Sequence, residues 1–335
     1  MSFKLNSIIT ITSALLGSSF KFKGVHEVKI VKSIYSMNET CVIKLPTTAR
    51  LRKYDTLSTV SVSVAQQWQQ GDKVVVQLGY NGNYKTEFVG FVRRLNFTTP
   101  VEIECEGYVY QLRNNLKGKT FIKTEYKKIV EYIIAGTDIK MSVDMKKRDL
   151  IVDKFTIKTD TAAETLHQLN KHLFNVLAIT FHGPELYMGL SYLDVKETVK
   201  YKMGWNVIKD NGLKLRDPGN YKVSIKLSGV KGDGTKNVVT SGDQSLNVKK
   251  MRSHAVTATG TLQVLGDEKV RQLKYKGYEG KITAFGIPFC EHAWKVELTD
   301  PRYAEREGSY LIDSVEIIFG MGGFRRIVGI GVKVS

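Results

Sequence analysis

The chain has 335 residues, 42% of them hydrophobic and 25% charged, and a formal net charge of +17. This length suffices for two or three domains of ~100–200 residues, and the lack of low-complexity runs argues against long disordered tails. No segment approaches the ~18 uninterrupted apolar residues of a membrane span, so membrane insertion is not expected. The widely spaced Cys41, Cys105 and Cys290 favour buried reduced thiols and an intracellular assembly site over a disulfide scaffold.

The basic surplus is uneven along the chain. Residues 201–280 hold fifteen Lys or Arg against seven Asp or Glu, whereas residues 281–335 hold seven of each. Such an excess is compatible with contact to nucleic acid or another polyanion. The lysines are scattered and are not interleaved with aromatic residues, which favours a solubilising surface. Both interpretations stay open at the level of sequence.

The first 110 residues are rich in period-two patterns, which predict β-strands. The predicted features include turns at Ser36–Glu39 and at the Gly/Asn-rich segment Gly79–Asn83, and a short helix-like gap at 65–70. The predicted strands, taken in order, cover residues 8–16, two strands within 25–46, 57–64, 74–78, 88–97 and 101–105. Six or so strands are enough for a small closed or nearly closed barrel.

The middle of the chain changes to helical periodicity. Residues 124–136 place apolar side chains on one face of a helix, with Thr124 as N-cap and Gly136 just past the end. A second helix begins at Thr161, where Glu164 completes a capping box. A β-hairpin follows over 176–192, with its turn at 182–185. This region predicts a small α/β unit.

The last third is predicted to be β-rich. We expect a linker over 205–220, a strand over 221–228, a mobile polar loop over 229–244, and strands again from Val256 onward. The predicted domains are therefore residues 1–115, 116–205 and 206–335.

The meander around 71–107 has a second, degenerate copy near the C-terminus. When the two are overlaid, Phe88 meets Tyr310 and Phe97 meets Phe319. A meander cannot bury its apolar face alone, so two copies suggest an internally duplicated β-domain. Any two hairpins of similar length align this well, however, and the pattern alone leaves duplication open.

No group of titratable residues has the spacing of a catalytic or metal site. His167 and His172 are five residues apart, whereas a zinc-binding helix needs i and i+4, and His182 lies in a predicted turn. We therefore expect no enzymatic activity, no metal and no cofactor. The doublets Arg93–Arg94 and Arg325–Arg326 lie in the two meanders, and on a strand one arginine of each pair can face a core or an interface. These four arginines are the candidate interface residues.

Residues 281–331 resemble the closing domain of the baseplate hub proteins of contractile phage tails, which include the late control protein D group and the Mu-like hub. The shared features are Gly286 before a strand and the segments 296–298 (VEL), 300–303 (DPRY), 308–311 (GSYL) and 323–326 (GFRR). In the N-terminal part the segments 41–46 (CVIKLP), 71–72 (GD) and 88–92 (FVGFV) also fit, and 159–189 is similar to the helix and hairpin that follow the first barrel of these proteins. The resemblance covers most of the chain by element order.

This resemblance implies a mainly β fold with a smaller α/β portion and two tail-tube-like β-barrel domains related by internal duplication. Such hubs form homotrimers, whose six barrels make a pseudo-sixfold ring with a central channel between a hexameric tail tube and a trimeric spike. The implied partners are a second and third copy of the chain, a spike protein, and tail tube or tape-measure proteins, with DNA only as passing cargo. The implied location is the baseplate of a virion tail assembled in a bacterial cytoplasm. The chain carries no needle or lysozyme-like segment, so the spike is expected to be a separate protein.

Overall fold

A computed structural model describes residues 4–15, 17–52, 59–63, 68–147, 150–158, 160–190, 197–220, 222–243 and 248–334. The first third of the chain forms nine strands. They are β1 (Leu5–Thr12), β2 (Ser19–Phe22), β3 (Glu27–Ser33), β4 (Ser36–Leu45), β5 (Thr48–Arg52), β6 (Thr59–Ser63), β7 (Lys73–Tyr80), β8 (Asn83–Asn96) and β9 (Val101–Glu106). The predicted strands correspond to β1, β3, β4, β6, β7, β8 and β9, although β1 ends at Thr12, short of the predicted end. The short strands β2 and β5 were not predicted, and residues 65–67 of the helix-like gap lie outside the described residues.

The predicted turn at Ser36–Glu39 is wrong by a few residues. These residues belong to β4, and the chain reverses at Ile34 and Tyr35. The turn between β7 and β8 is as expected, because Asn81 and Gly82 both have positive φ, at 51° and 85°. Two such residues form the turn whose twist matches a tight hairpin.

The middle region contains two helices and five strands. They are β10 (Lys119–Glu125), α1 (Tyr126–Ile134), β11 (Lys140–Met141), β12 (Ile151–Ile157), α2 (Ala162–His172), β13 (Ala178–His182) and β14 (Glu185–Gly189). The predicted capping box of α2 is confirmed, since Thr161 accepts a bond from the Glu164 amide and the Glu164 carboxylate accepts one from the Thr161 amide. The N-cap of α1 is Glu125 and not Thr124, while Gly136 follows its C-cap with φ +79° as predicted.

The remaining elements are nine strands and one helix. They are β15 (Thr198–Lys202), β16 (Val207–Arg216), β17 (Ser224–Val230), β18 (Lys236–Gly242), β19 (Val248–Ser253), α3 (Thr259–Leu273), β20 (Gly277–Phe285), β21 (Lys295–Thr299), β22 (Gly308–Gly320) and β23 (Gly323–Lys333). No helix within the described residues combines the length and apolar character that a membrane crossing requires.

Three expectations for this last third are wrong. The predicted linker at 205–220 contains β16, because the Asn211–Gly212 signal marks a bulge inside the strand, where the register shifts and Gly212 has φ +72°. The predicted mobile loop at 229–244 is mostly β18 and its tight turn from β17. The strands expected from Val256 are preceded by α3, whose Gly260 and Gly266 weaken the helical signal in the sequence.

Most strands of the chain's two ends share one sheet of thirteen strands. Along its main path the order is β16-β20-β23-β22-β3-β4-β9-β8-β7-β1-β2, and β21 and β15 extend from β22. The strands β10 and β12 form a separate pair, β11, β14 and β13 form one small sheet, and β18, β17 and β19 form another. The fold is therefore mainly β with a smaller α/β portion, as predicted.

The large sheet contains two rows of four antiparallel strands. The strands of both rows follow the same order along the sheet relative to their order in the chain. In the first row, β3-β4-β9-β8, the residues aligned across the sheet are Val28, Ile43, Ile103 and Leu95. In the second row, β16-β20-β23-β22, the aligned residues are Val207, Ala284, Arg326 and Ile317. The next strands also correspond, because Phe88 lies opposite Val76 of β7 and Tyr310 lies opposite Val296 of β21. Phe88 and Tyr310 therefore occupy equivalent positions in the two halves of the sheet, as their overlay in the sequence suggested.

The buried side chains form two clusters. One lies on the large sheet and combines both rows, with Ile30 and Val315 among its fully buried members. The other joins the middle region to residues 224–273, so that Leu166 of α2 and Leu262 of α3 share a core. The division at 115 and 205 stays a prediction, and the packing associates β17, β18 and α3 with the middle region.

Candidate assembly site

The two arginine doublets lie in contrasting environments. Arg93 and Arg94 lie near the end of β8 and are exposed, with ion pairs to Glu106 and Glu104 respectively. Arg325 lies over the ring of Phe285, 5.4 Å from its centroid. Arg326 is fully buried. The role of these four residues at a subunit interface stays a prediction, and Arg326 is enclosed by its own chain.

Arg326 joins the two meanders through a buried ion pair with Glu87. Its Nη2 donates to Glu87 Oε1 at 2.7 Å and its Nη1 to Oε2 at 3.2 Å. The guanidinium also donates to the carbonyl oxygens of Gly286 and Cys290. Burial would lower the pKa of Arg326, but the Glu87 carboxylate holds that pKa above its ordinary value. All the guanidinium nitrogens thus have acceptors, which is the condition for burying this group.

A second buried ion pair links β3 to the segment before β21. Lys32 Nζ donates to both carboxylate oxygens of Glu291, at 2.8 and 3.0 Å. Burial opposes ionisation of Glu291, but Lys32 and the adjacent His292 lower the pKa of this carboxyl to about 2. Nearby, burial raises the pKa of Glu39. The contact region between the two strand rows therefore contains several buried charged groups in addition to apolar side chains.

His182, Glu291 and His292 come together in the structure, although their spacing along the chain does not indicate it. One potential ligand atom from each lies within 4.8 Å of the others. The two imidazole rings are stacked, with centroids 4.9 Å apart and planes within 16° of parallel. Imidazole lone pairs lie in the ring plane, so two parallel rings do not converge on one ion. The Glu291 carboxylate is also occupied by Lys32, and this group therefore does not have the arrangement of a metal site.

The three cysteines are buried, as predicted. Cys41 and Cys105 lie opposite each other on β4 and β9. Burial raises the pKa of all three thiols, that of Cys290 to about 11. These thiols are therefore protonated at neutral pH, and they lack the exposure and low pKa of reactive cysteines.

The two strand rows meet where β3 pairs with β22. The pairing is antiparallel over seven residues, with Val28 opposite Phe319 and Ile30 opposite Ile317. An ion pair between Lys29 and Glu316, at 3.0 Å, flanks the junction. We call this pairing the internal junction. It converts two repeats into one continuous sheet.

Sequence reasoning found the doublets and the repeat but missed the partners of the buried charges. Arg326 and Glu87 are 239 positions apart, and neither residue has a neighbour in sequence that indicates the pairing. A weak signal exists in retrospect. The row of aligned residues contains three apolar side chains and Arg326, so an arginine at a core position of the repeat required a buried acid.

Solved structures of known proteins share this fold. A 43 kDa tail protein of prophage MuSo2 from Shewanella oneidensis is 15% identical, with a TM-score of 0.67 and 98% of each chain covered. A tail protein from Neisseria meningitidis is 9% identical, with a TM-score of 0.65 over 97% of this chain and 96% of the other. An E. coli component of the type VI secretion system, described as structurally similar to the T4 bacteriophage tail proteins gp27 and gp5, is 7% identical, with a TM-score of 0.58 over 100% of this chain and 77% of the other.

No protein-family model matches the sequence, and no curated protein matches it. The likeness therefore lies in three dimensions and not in sequence. The chain has the fold of phage tail proteins, as the resemblance implied.

Proposed function

We propose that the chain is a structural hub of a phage tail or phage-like injection system. It forms a trimeric ring with a central channel and adapts a hexameric tail tube to a trimeric spike. The observation that carries this proposal is the strand row that occurs twice in one sheet. Three copies of a chain with two equivalent rows present six similar units, which is what a threefold particle needs to match a sixfold tube.

The proposed partners follow from that position. They are two further copies of the chain, a spike protein on one side, and tail tube or tape-measure proteins on the other. The proposed location is the baseplate of a virion tail, assembled in the cytoplasm of a bacterial host. Structures described as tail proteins and as a secretion-system component support this assignment through their shared fold.

We assign no catalytic role to the chain. The buried ion pairs Arg326–Glu87 and Lys32–Glu291 are engaged within the protein. Such pairs position strands and do not present a reactive group to solvent. The fold shared with tail proteins agrees with a structural role.

Binding to a polyanion is the second candidate. Its support is the run of exposed basic residues on β18 and β19, which include Lys236, Lys249, Lys250 and Arg252. Counterion release would make such binding fall steeply with salt. A hub that passes DNA as cargo should not retain it. We therefore expect no detectable duplex binding at ~50 mM salt, and tight, salt-sensitive binding would favour this second candidate.

The copy number tests the proposed hub. Light scattering on the purified chain, alone and co-expressed with spike and tube proteins of the same tail system, should give three copies per particle. Electron microscopy of the same sample should show a ring with a channel. A chain that stays monomeric at every concentration and co-purifies with none of these proteins would contradict the proposal.

A further inference from the structure

A cleft lies between the middle region and the small sheet of β17, β18 and β19. Its volume is about 730 Å³, which is within the range of small-molecule sites. One wall comes from β10, β12 and the C-terminal end of α2. The other wall comes from the end of β17, the turn after it and the segment that follows β19. A ligand in this cleft would therefore contact both parts of the chain.

The charged groups that line the cleft are mostly cationic. They are Lys123, Lys154, Lys231, His172, His254 and Asp153. Within the described part of the chain, no carboxylate forms an ion pair with any of the three lysines. The carboxylate of Asp153 is engaged by Thr257, whose amide and hydroxyl both donate to Oδ2 at 2.7 Å. Asp233, in the turn after β17, likewise accepts a bond from the Thr235 amide. We call this site the basic cleft, and a cleft lined by one sign of charge concentrates the opposite ion.

The backbone of β10 is distorted where it lines the basic cleft. Lys123 has a φ of +46°, in the left-handed region that residues other than glycine rarely adopt. The pairing of β10 with β12 skips this residue, and the amide of Asp153 on the opposite strand donates to the Ala255 carbonyl oxygen at 2.7 Å instead. Backbone strain of this kind clusters at ligand sites. Here the strained residue is one that brings an ammonium group to the cleft.

His172 responds to the charge around the basic cleft. Its ring packs edge-on against the buried Phe155, with the ring centroids 5.8 Å apart. Burial, followed by repulsion from His254 and Lys171, lowers the pKa of His172. An anion between these cations would oppose the repulsion and favour the protonated ring. Binding of an anion and protonation of His172 are therefore coupled.

We propose that the basic cleft binds a phosphate-sized dianion, which is either free phosphate or the phosphate group of a small organic molecule. The three lysines supply positive charge from both walls, and the two histidines donate N–H groups when protonated. The buried side chains of Phe155 and Val230 form an apolar floor beside them, which suits the organic part of such a ligand. A bound dianion would hold the middle region to the sheet of β17, β18 and β19. This inference is independent of the proposed hub.

Isothermal titration calorimetry on the full chain at fixed ionic strength tests the site. The probes are inorganic phosphate and AMP at neutral pH, and we expect saturable binding of one anion per chain. Lys154→Gln and Lys231→Gln, one from each wall, should each weaken binding about tenfold, because each removes a charge-assisted hydrogen bond. The matched control is Lys281→Gln, since Lys281 is also exposed but lies on β20 outside the cleft, and it should leave the affinity unchanged. Tighter binding of AMP identifies an organic phosphate as the ligand, and equal affinities identify free phosphate.

Sulfate is the probe for the pH dependence. It keeps both charges over the range in which histidine titrates, so it separates the protein's protonation from that of phosphate. Its affinity should rise several-fold as pH falls from 8 to 5.5, because protonated His172 and His254 add to the charge of the lysines. His172→Gln should remove part of this rise, and the double variant with His254→Gln should remove all of it. Neither change should alter the affinity at pH 8.

The absence of saturable binding of both phosphate and sulfate would overturn the site. So would a loss of affinity that is equal in Lys281→Gln and the cleft variants, because general screening and not the cleft would then attract the anion. Duplex DNA that binds through the cleft lysines, while phosphate and AMP do not bind, would also overturn the site and favour the second candidate function. None of these outcomes bears on the copy number, so the proposed hub is tested separately.

Discussion

Replacing Glu87 by glutamine tests the buried link between the two strand rows. The change keeps the size of the side chain and removes the charge that faces the fully buried Arg326. Breaking a buried ion pair at one partner costs about 3–5 kcal/mol, because the remaining charge is left uncompensated. The guanidinium keeps its bonds to the carbonyl oxygens of Gly286 and Cys290, and glutamine can still accept one bond. We therefore expect a loss near the lower limit, about 3 kcal/mol.

Urea unfolding followed by circular dichroism measures this loss as a difference in the free energy of unfolding. The matched control is Arg94→Gln, since Arg94 forms an ion pair in which its side chain is 64% exposed. Pairs of that kind contribute about 0–1 kcal/mol. The double variant Glu87→Gln with Arg326→Met removes both partners and should recover part of the stability. If Glu87→Gln costs no more than Arg94→Gln, the buried ion pair does not hold the rows together.

Three further changes have outcomes that the structure fixes in sign. Thr161→Ala removes the capping box of α2 and should lower the free energy of unfolding by about 1 kcal/mol in the same urea titration, and an unchanged value would contradict the role of this cap. Gly90→Ala places a Cβ 2.2 Å from the carbonyl oxygen of Glu106 and should destabilise the β8–β9 pairing by about 3 kcal/mol or more, whereas Gly232→Ala, which meets nothing within 4 Å, should be neutral. Burial raises the pKa of Asp313 to about 7, so its contribution to stability is present at pH 4 and is lost as pH rises to 7. Asp313→Asn should therefore unfold at a higher urea concentration than the parent protein at pH 8 and at a similar concentration at pH 4, and equal behaviour at both pH values would count against this burial effect.

Local patterns predicted the elements whose signals are contained within a few residues. The period-two strands of the first meander, the capping box at Thr161 and the Asn81–Gly82 turn each depend on neighbours in sequence, and all three are present. The errors arose where tertiary packing overrides a local signal. In the sequence, Gly266 weakens the prediction of a helix. In the structure, this glycine allows α3 to approach β18 closely, because a Cβ at this position would lie 2.6 Å from Ser241 Oγ.

The features that matter most for assembly were the hardest to predict. The overlay of Phe88 on Tyr310 revealed the repeat in the sequence. Whether the two meanders occupy equivalent places in the sheet depends on the strand order, which pairs residues that are hundreds of positions apart. The pairing of Arg326 with Glu87 is of this kind. A turn signal at Asn211–Gly212 concealed β16 altogether, because a bulge and a turn use the same residues.

An image of the assembled particle by electron cryo-microscopy is the most direct test of this account. It should show three copies around a channel, with the two strand rows of each copy at equivalent positions. A particle with another copy number, or one in which the two rows occupy unrelated positions, would contradict the idea that the duplicated row lets a threefold ring match a sixfold tube.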